Sequence, residues 1–332
     1  MTEFLIGCDP ELFVTKNDKL VSAYGLIPGT KHNPFVVDGG AIQVDGMALE
    51  FNINPAATFT EFNDNINKVL GQLQQKVGEE YKFVFSPVAE FGQAYIDAQP
   101  EEAKELGCDP DYNIYIGGVN PKPNANLGIR TASGHIHIGW TSDQDVTDPD
   151  HIEACEMVVR QLDISLGLAT KIWDRDTVRS SMYGALGTYR VKPYGVEYRT
   201  PSNVWVKDVV TRRLVFDISM NAVKALLSGK RIYDNYSPSQ INDWSYADKL
   251  MILRAICRDW NLLDKTGLSQ LDAIYNANNN NPYKAATTIK KRASKSNAEP
   301  VWAWANALID VAPAPLIQIM DDVEDFPDLA EL

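Results

Sequence analysis

Three stretches of the chain repeat apolar residues at three- and four-residue steps, the spacing that gathers them on one face of a helix. The first carries Phe62, Ile66, Val69, Leu70, Leu73 and Val77, follows Thr58 or Thr60 as N-cap, and ends near Gly78. The second begins after Asp148-Pro149 and runs through Val158, Leu162, Leu166 and Ala169 towards Trp173, with acids in its first turn as the helix dipole favours. A third covers about 206–227 and stops at Ser228-Gly229. Between them lie short runs of strand character at 4–6, 12–15, 48–54, 82–85, 135–140 and 195–199. These strands come in clusters rather than in regular alternation with helices, which predicts an α+β fold over a doubly wound parallel sheet. Beyond Tyr246 the pattern is helical, with loops at 276–282 and around 294–299. This divides the chain into a main domain, 1–245, and a helical extension, 246–332, packed on it and ending in an acidic tail at 321–332.

The polar positions inside the strands carry the chemistry. Side chains two apart share a sheet face. In Leu49-Glu50-Phe51-Asn52-Ile53-Asn54 the apolar set therefore faces one way and Glu50, Asn52 and Asn54 the other. His135 and His137 likewise stand opposite Ile136, Ile138 and Trp140, and Glu197 and Arg199 share the polar side of their run. Asp9 and Glu11 are also two apart; Pro10 between them predicts an edge position or an irregular strand start. A single sheet with its apolar face on the helices would then collect four carboxylates, Asp9, Glu11, Glu50 and Glu197, beside two imidazoles and an arginine. Two like charges about 4 Å apart repel by roughly 4 kcal/mol at an effective dielectric near 20, so such a face needs protons, cationic partners or metal. Carboxylate oxygens with few imidazoles suit Mg²⁺ or Mn²⁺, and Mg²⁺ commonly arrives with substrate phosphates. The pattern thus points to nucleotide-dependent phosphoryl chemistry.

Composition narrows the alternatives. The 332 residues are 45% hydrophobic, 10% aromatic and 23% charged, ordinary values for a globular chain long enough to bury a sizeable core. A net charge of -13 repels phosphate backbones and anionic lipid surfaces, which argues against general nucleic-acid or membrane binding. Asp321, Asp322, Glu324, Asp325, Asp328 and Glu331 concentrate part of that charge in the tail. Cys8, Cys108, Cys155 and Cys257 form no C-x-x-C pair, so neither a zinc knuckle nor a disulfide framework is expected, and a reducing cytoplasm fits best. No apolar run reaches membrane-spanning or signal-peptide length. The common nucleotide loops are missing: Ser228-Gly229-Lys230 lacks the earlier glycine of a P-loop, and Gly184 and Gly187 do not complete G-x-G-x-x-G. Lys290, Lys291, Arg292 and Lys295 read as a solvated basic helix face. The word Gly-Cys-Asp-Pro occurs at 7–10 and 107–110 without repeating its surroundings, and reads as turn chemistry.

Taken together, four segments resemble the glutamine synthetase superfamily of carboxylate-amine ligases, and most closely its phage-encoded carboxylate-amine ligase family. They are Gly-Cys-Asp-Pro-Glu-Leu-Phe at 7–13, Asp-Gly-Met-Ala-Leu-Glu-Phe-Asn-Ile-Asn-Pro at 45–55, Ser-Gly-His-Ile-His-Ile-Gly at 133–139 and Tyr-Gly-Val-Glu-Tyr-Arg-Thr-Pro-Ser-Asn at 194–203. The resemblance implies a mostly antiparallel curved sheet with helices on one face and the active site on the other. It further implies metal ligation by Asp9, Glu11 and Glu50, a second metal position completed by His135 and Glu197, and Asp45 as a further ligand. By the same resemblance His137 and Ser133 lie by the nucleotide, Arg199 and Arg190 grip the transferred phosphoryl group, and Glu50 takes part in catalysis. Arg179 and Arg130 are lesser candidates for the same grip. Two departures stand out: Asp9 is shorter than the Glu usual in relatives, and Asn54-Pro55 replaces a common Ser-Pro.

The implied activity uses ATP and Mg²⁺ or Mn²⁺ to activate a small-molecule or peptide carboxylate as an acyl phosphate, which an amine then attacks, giving an amide or isopeptide bond. The oligomeric state stays open. Three competing readings are a guanidino-type kinase on a related sheet, a zinc hydrolase built on His135-x-His137, and a non-catalytic phage structural or interaction protein. His32, His135, His137 and His151 are the only histidines, few for a multi-histidine hydrolase.

Overall fold

The computed structural model describes residues 4–104, 111–120 and 128–279. Cys108, the second Gly-Cys-Asp-Pro word, the basic cluster at 290–295 and the acidic tail lie outside the described residues. The strands are β1 (Leu5–Lys16), β2 (Lys19–Val21), β3 (Phe35–Val37), β4 (Gly40–Asp45), β5 (Ala48–Ile53), β6 (Tyr81–Val84), β7 (Val88–Glu90), β8 (Tyr112–Asn113), β9 (Gly118–Val119), β10 (Ile129–Thr131), β11 (Gly134–Gly139), β12 (Thr188–Lys192) and β13 (Gly195–Tyr198). Eleven form one sheet in the order β3-β4-β5-β1-β11-β13-β12-β8-β9, with β2 and β6 paired to the end of β1; β7 and β10 form a separate pair. The strand pairings are antiparallel throughout. The helices are α1 (Phe59–Val77), α2 (Gln93–Asp97), α3 (Glu101–Lys104), α4 (Pro149–Leu162), α5 (Leu168–Trp173), α6 (Thr177–Met182), α7 (Val209–Leu227), α8 (Pro238–Asp243), α9 (Tyr246–Asp259) and α10 (Lys265–Asn279). The α+β expectation holds.

The period-2 alternation decides which face is covered. Ile6, Cys8 and Leu12 of β1, Leu49, Phe51 and Ile53 of β5, Ile136 and Ile138 of β11, and Val196 and Tyr198 of β13 all enter one hydrophobic core. Against them lie Phe62, Ile66, Val69 and Leu73 of α1, Val158 and Leu162 of α4, and Leu214, Ile218 and Val223 of α7. Leu253, Ile256 and Leu271 of α9 and α10 join the same core. The opposite face carries the polar members of the same strands.

Three expectations need correction. Pro10 is neither at an edge nor at a strand start: β1 is one continuous central strand where two short runs were expected. The Glu11 amide points to the β11 side, donating to Ser133 O at 2.9 Å, so the missing donor of Pro10 faces the β5 side, where pairing begins only at Glu11. The long second helix is interrupted by a π-turn at Asp163–Gly167, packed against Tyr198. The third helix starts at Val209, because Asp208 caps it by accepting from the Val210 and Thr211 amides at 2.9 and 3.0 Å; the preceding Asn203–Lys207 is a 3₁₀ turn.

Candidate active site

Strand register places the polar residues in rows. Asp9 stands opposite His135; Gly7, His137, Glu197 and Arg190 form the next row across four strands; Glu11, Glu50 and Gln43 form a third. Asp9 Oδ1 lies 3.2 Å from His135 Nδ1 and 3.1 Å from His137 Nε2, and His135 Nδ1 is 3.4 Å from Glu197 Oε1. One ligand atom each from Asp9, His135 and Glu197 fall within 4.8 Å of one another. Glu11 receives the Ser133 amide at 2.7 Å, and Glu50 receives the Gln43 side-chain amide at 2.8 Å. Arg199 pairs with Glu197 and stands 2.5 Å from Asp111, while Arg190 lies 3.4 Å from Glu197 and 3.9 Å from Asp111. Lys192 Nζ reaches Glu197 Oε2 at 2.8 Å.

Burial sets the electrostatics. It pushes the Glu11 carboxyl up to about 7, helped by the Asp45 and Asp9 charges and opposed by the Ser133 amide and Arg199. Glu50 is driven well above the usual carboxylate range by burial and then by Asp9, Asp45 and Glu11. Burial also pushes Asp9 up, yet the two imidazoles outweigh it and hold the group well below its ordinary value. His135 is lowered by burial and by Arg199; His137, although buried, is raised by Asp9.

These residues fit a divalent cation of the Mg²⁺ or Mn²⁺ kind. Asp45 and Asp9 raise the cost of ionising both Glu11 and Glu50, a strain that a cation between them removes. His135 Nε2 is buried without a hydrogen-bond partner, and the donor set is oxygen-rich with few nitrogens. Asp9, Glu11, Asp45, Glu50, His135, His137, Glu197, Arg190 and Arg199 are thus all brought to one face. Ser133 is buried at its edge, with its amide on Glu11 and its hydroxyl accepting from Arg179 at 3.2 Å.

The lesser arginine candidates are committed elsewhere. Arg179 donates to Thr200 O and Pro201 O at 3.0 Å each as well as to Ser133, pinning the strand ends that present His135 and Arg199. Arg130 donates to the carbonyls of Ile129 and Lys104. The sequence reading missed Asp111, Lys192, Gln43 and Tyr183, whose ring centroid lies 5.4 Å from the Arg199 guanidinium carbon. Lys192 was accessible by alternation from Arg190; Asp111, in an irregular segment before a two-residue strand, left no signal. A multi-histidine hydrolase centre is ruled out for His151, whose Nε2 sits 2.8 Å from the Lys192 carbonyl while the residue packs into the helix side of the sheet.

The antiparallel sheet and its clustered polar face agree with the resemblance of the motifs to the carboxylate-amine ligases. Within that class, residues 129–275 match the family of phage phiEco32-like COOH.NH2 ligase-type 2. That segment holds β11, β12 and β13 and hence His135, His137, Arg190, Glu197 and Arg199. No curated protein matches the chain. Among solved structures, a bifunctional glutathione synthetase from Pasteurella multocida is similar at 10% identity and TM-score 0.49, over 83% of this chain and 47% of that one. A GmaS/ADP complex is similar at 10% identity and TM-score 0.43, over 92% and 73%, and a novel glutamine synthase homolog at 10% and 0.39, over 88% and 68%. The chain spans about half the length of the glutathione synthetase. No helix among the described residues is long and apolar enough to cross a membrane.

Proposed function

We propose that the protein is an ATP-dependent carboxylate-amine ligase working through an acyl phosphate. The convergence of Asp9, Glu11, Glu50, His135 and Glu197 on one buried sheet face, with Arg190 and Arg199 at its border, carries this reading. A donor carboxylate oxygen attacks the γ-phosphorus of ATP and ADP leaves; an amine then attacks the acyl carbon, its C–O bond breaks and phosphate departs. Divalent ions held by Asp9, His135 and Glu197, and by Glu11, Glu50 and Asp45, would screen the phosphate charge. Arg199 supplies fixed donors to the phosphoryl oxygens, oriented by Asp111 and Glu197, and Arg190 approaches from the neighbouring strand. His137 and Ser133 border the nucleotide. His135, Glu197 and Arg199 are buried on this face, where charges act at a lower dielectric than in water.

The test incubates the full chain with Mg-ATP, pooled amino acids, peptides and polyamines, using hydroxylamine to trap the acyl phosphate. Substrate-dependent ADP together with hydroxamate supports the ligase. Phosphoryl transfer to a guanidino compound without hydroxamate, or phosphate release that needs no nucleotide, refutes it.

A further inference from the structure

The polar face is divided by charge. Asp9, Glu11, Asp45 and Glu50 occupy the half built by β1, β4 and β5; Arg190, Lys192 and Arg199 occupy the half built by β12 and β13. In the cationic half, Glu197 is fully buried and offers only two oxygens. Arg199 takes Oε1, and His135 Nδ1 stands 3.4 Å from the same atom. Oε2 receives Lys192 at 2.8 Å and Arg190 at 3.4 Å. Among the described residues Asp111 is the other acid paired with the arginines, and Lys192 is the third cation on Glu197.

The third cation exceeds what Glu197 requires. Arg199 is fixed by two acids, and Arg190 also lies between the same two. Lys192 has Glu197 as its ion-pair partner among the described residues, its side chain is 28% exposed, and it sits on the sheet face of Arg190 two residues away. A compact ammonium on a four-carbon stem can turn where a bidentate arginine cannot. Glu197 also belongs to the Asp9–His135–Glu197 group, so any cation bound there competes with Lys192 for the charge of the same carboxylate.

We propose that Lys192 is a polyphosphate-binding cation of this site, held on the face by Glu197 and turning to the nucleotide's phosphates as Glu197 engages a divalent ion. The assignment rests on the ATP-dependent reading above and adds a residue to it. A charge-assisted hydrogen bond lost to phosphate corresponds to roughly a tenfold or greater change in affinity.

Isothermal titration of the full-length protein with Mg-ATP, AMP and tripolyphosphate, in wild type, Lys192→Gln and Lys192→Arg, tests it. Gln keeps a hydrogen bond to Glu197, and Arg keeps the charge should Gln perturb folding. Affinity for Mg-ATP and tripolyphosphate is expected to fall about tenfold or more in Lys192→Gln, with AMP changed less than about threefold and Lys192→Arg closer to wild type than Lys192→Gln. Wild type binding Mg-ATP while Lys192→Gln binds it about equally well overturns the assignment and leaves the ligase reading intact. So does a loss equal for AMP and ATP, which makes Lys192 merely structural. Wild type that binds neither Mg-ATP nor tripolyphosphate overturns both.

Discussion

Replacing Asp163 by asparagine separates a buried carboxyl's ionisation from its shape. Asp163 is fully buried in the π-turn behind the site, where its two oxygens accept from the hydroxyls of Tyr198 at 2.7 Å and Tyr115 at 2.8 Å. Burial pushes its carboxyl up from 3.8 to about 6, against the pull of both phenols, the Gly187 amide and the Lys171 charge. Because the folded value lies above the unfolded one, the folded state binds the proton more tightly. This contribution to stability is therefore present in full below about 3.8 and is lost as the pH rises through about 6. At about 1.4 kcal/mol per pH unit, that interval corresponds to about 3 kcal/mol. The asparagine side chain has no such proton to lose, so the unfolding free energy of Asp163→Asn relative to wild type should rise by about 2–3 kcal/mol between about pH 4 and pH 7. Urea unfolding of both proteins at intermediate pH values measures this, and distant titrations largely cancel in the difference. A flat difference, or one that falls with pH, would refute the reasoning.

Three further perturbations follow from the same geometry. Arg179→Ala strips the buried Thr200 carbonyl of its Arg179 donor and leaves Pro201 O with the Gly134 amide alone, and should cost about 1–3 kcal/mol by calorimetry; no loss contradicts the clamp. Gly167→Ala would bring a Cβ within 2.5 Å of the Tyr198 hydroxyl and 2.8 Å of Leu186 Cδ2. It should destabilise by about 1–3 kcal/mol despite alanine's helix preference, and a higher melting temperature would oppose the packing described. Asp111→Asn weakens the hold on Arg199 and should lower the turnover of hydroxamate formation by about tenfold or more, with Mg-ATP affinity changed far less; unchanged turnover removes Asp111 from the site.

The chemistry was most legible where it is written in alternation. His135 and His137, Glu197 and Arg199, and Asp9 and Glu11 each reveal a shared face from two-residue spacing, and the register then carries them into adjoining rows. Glu50 followed from the same rule. Legibility failed where long-range packing decides. Thr188, Arg190 and Lys192 alternate with Tyr189 and Val191, yet no strand was expected at 188–192, so Lys192 went unread beside Arg190. The π-turn answers to Tyr198, distant in sequence, and Pro10 is tolerated in a central strand only because pairing changes partner beside it. Asp111 is placed by its arginines, by the Tyr183 hydroxyl at 3.5 Å and by the Asn120 amide on its carbonyl at 2.8 Å, all distant in sequence or irregular. Alternation gives the shared face but not its depth: His135 and Glu197 are both buried.

Mn²⁺ binding to the full-length protein, followed by electron paramagnetic resonance in wild type, Glu50→Gln and Glu197→Gln, bears most directly on the claim that this face is a cation-dependent nucleotide centre. Saturable binding that strengthens with ATP, and weakens about tenfold or more in each variant, is the expected result. Mn²⁺ left free in solution by the wild type, or bound equally by all three proteins, would contradict it.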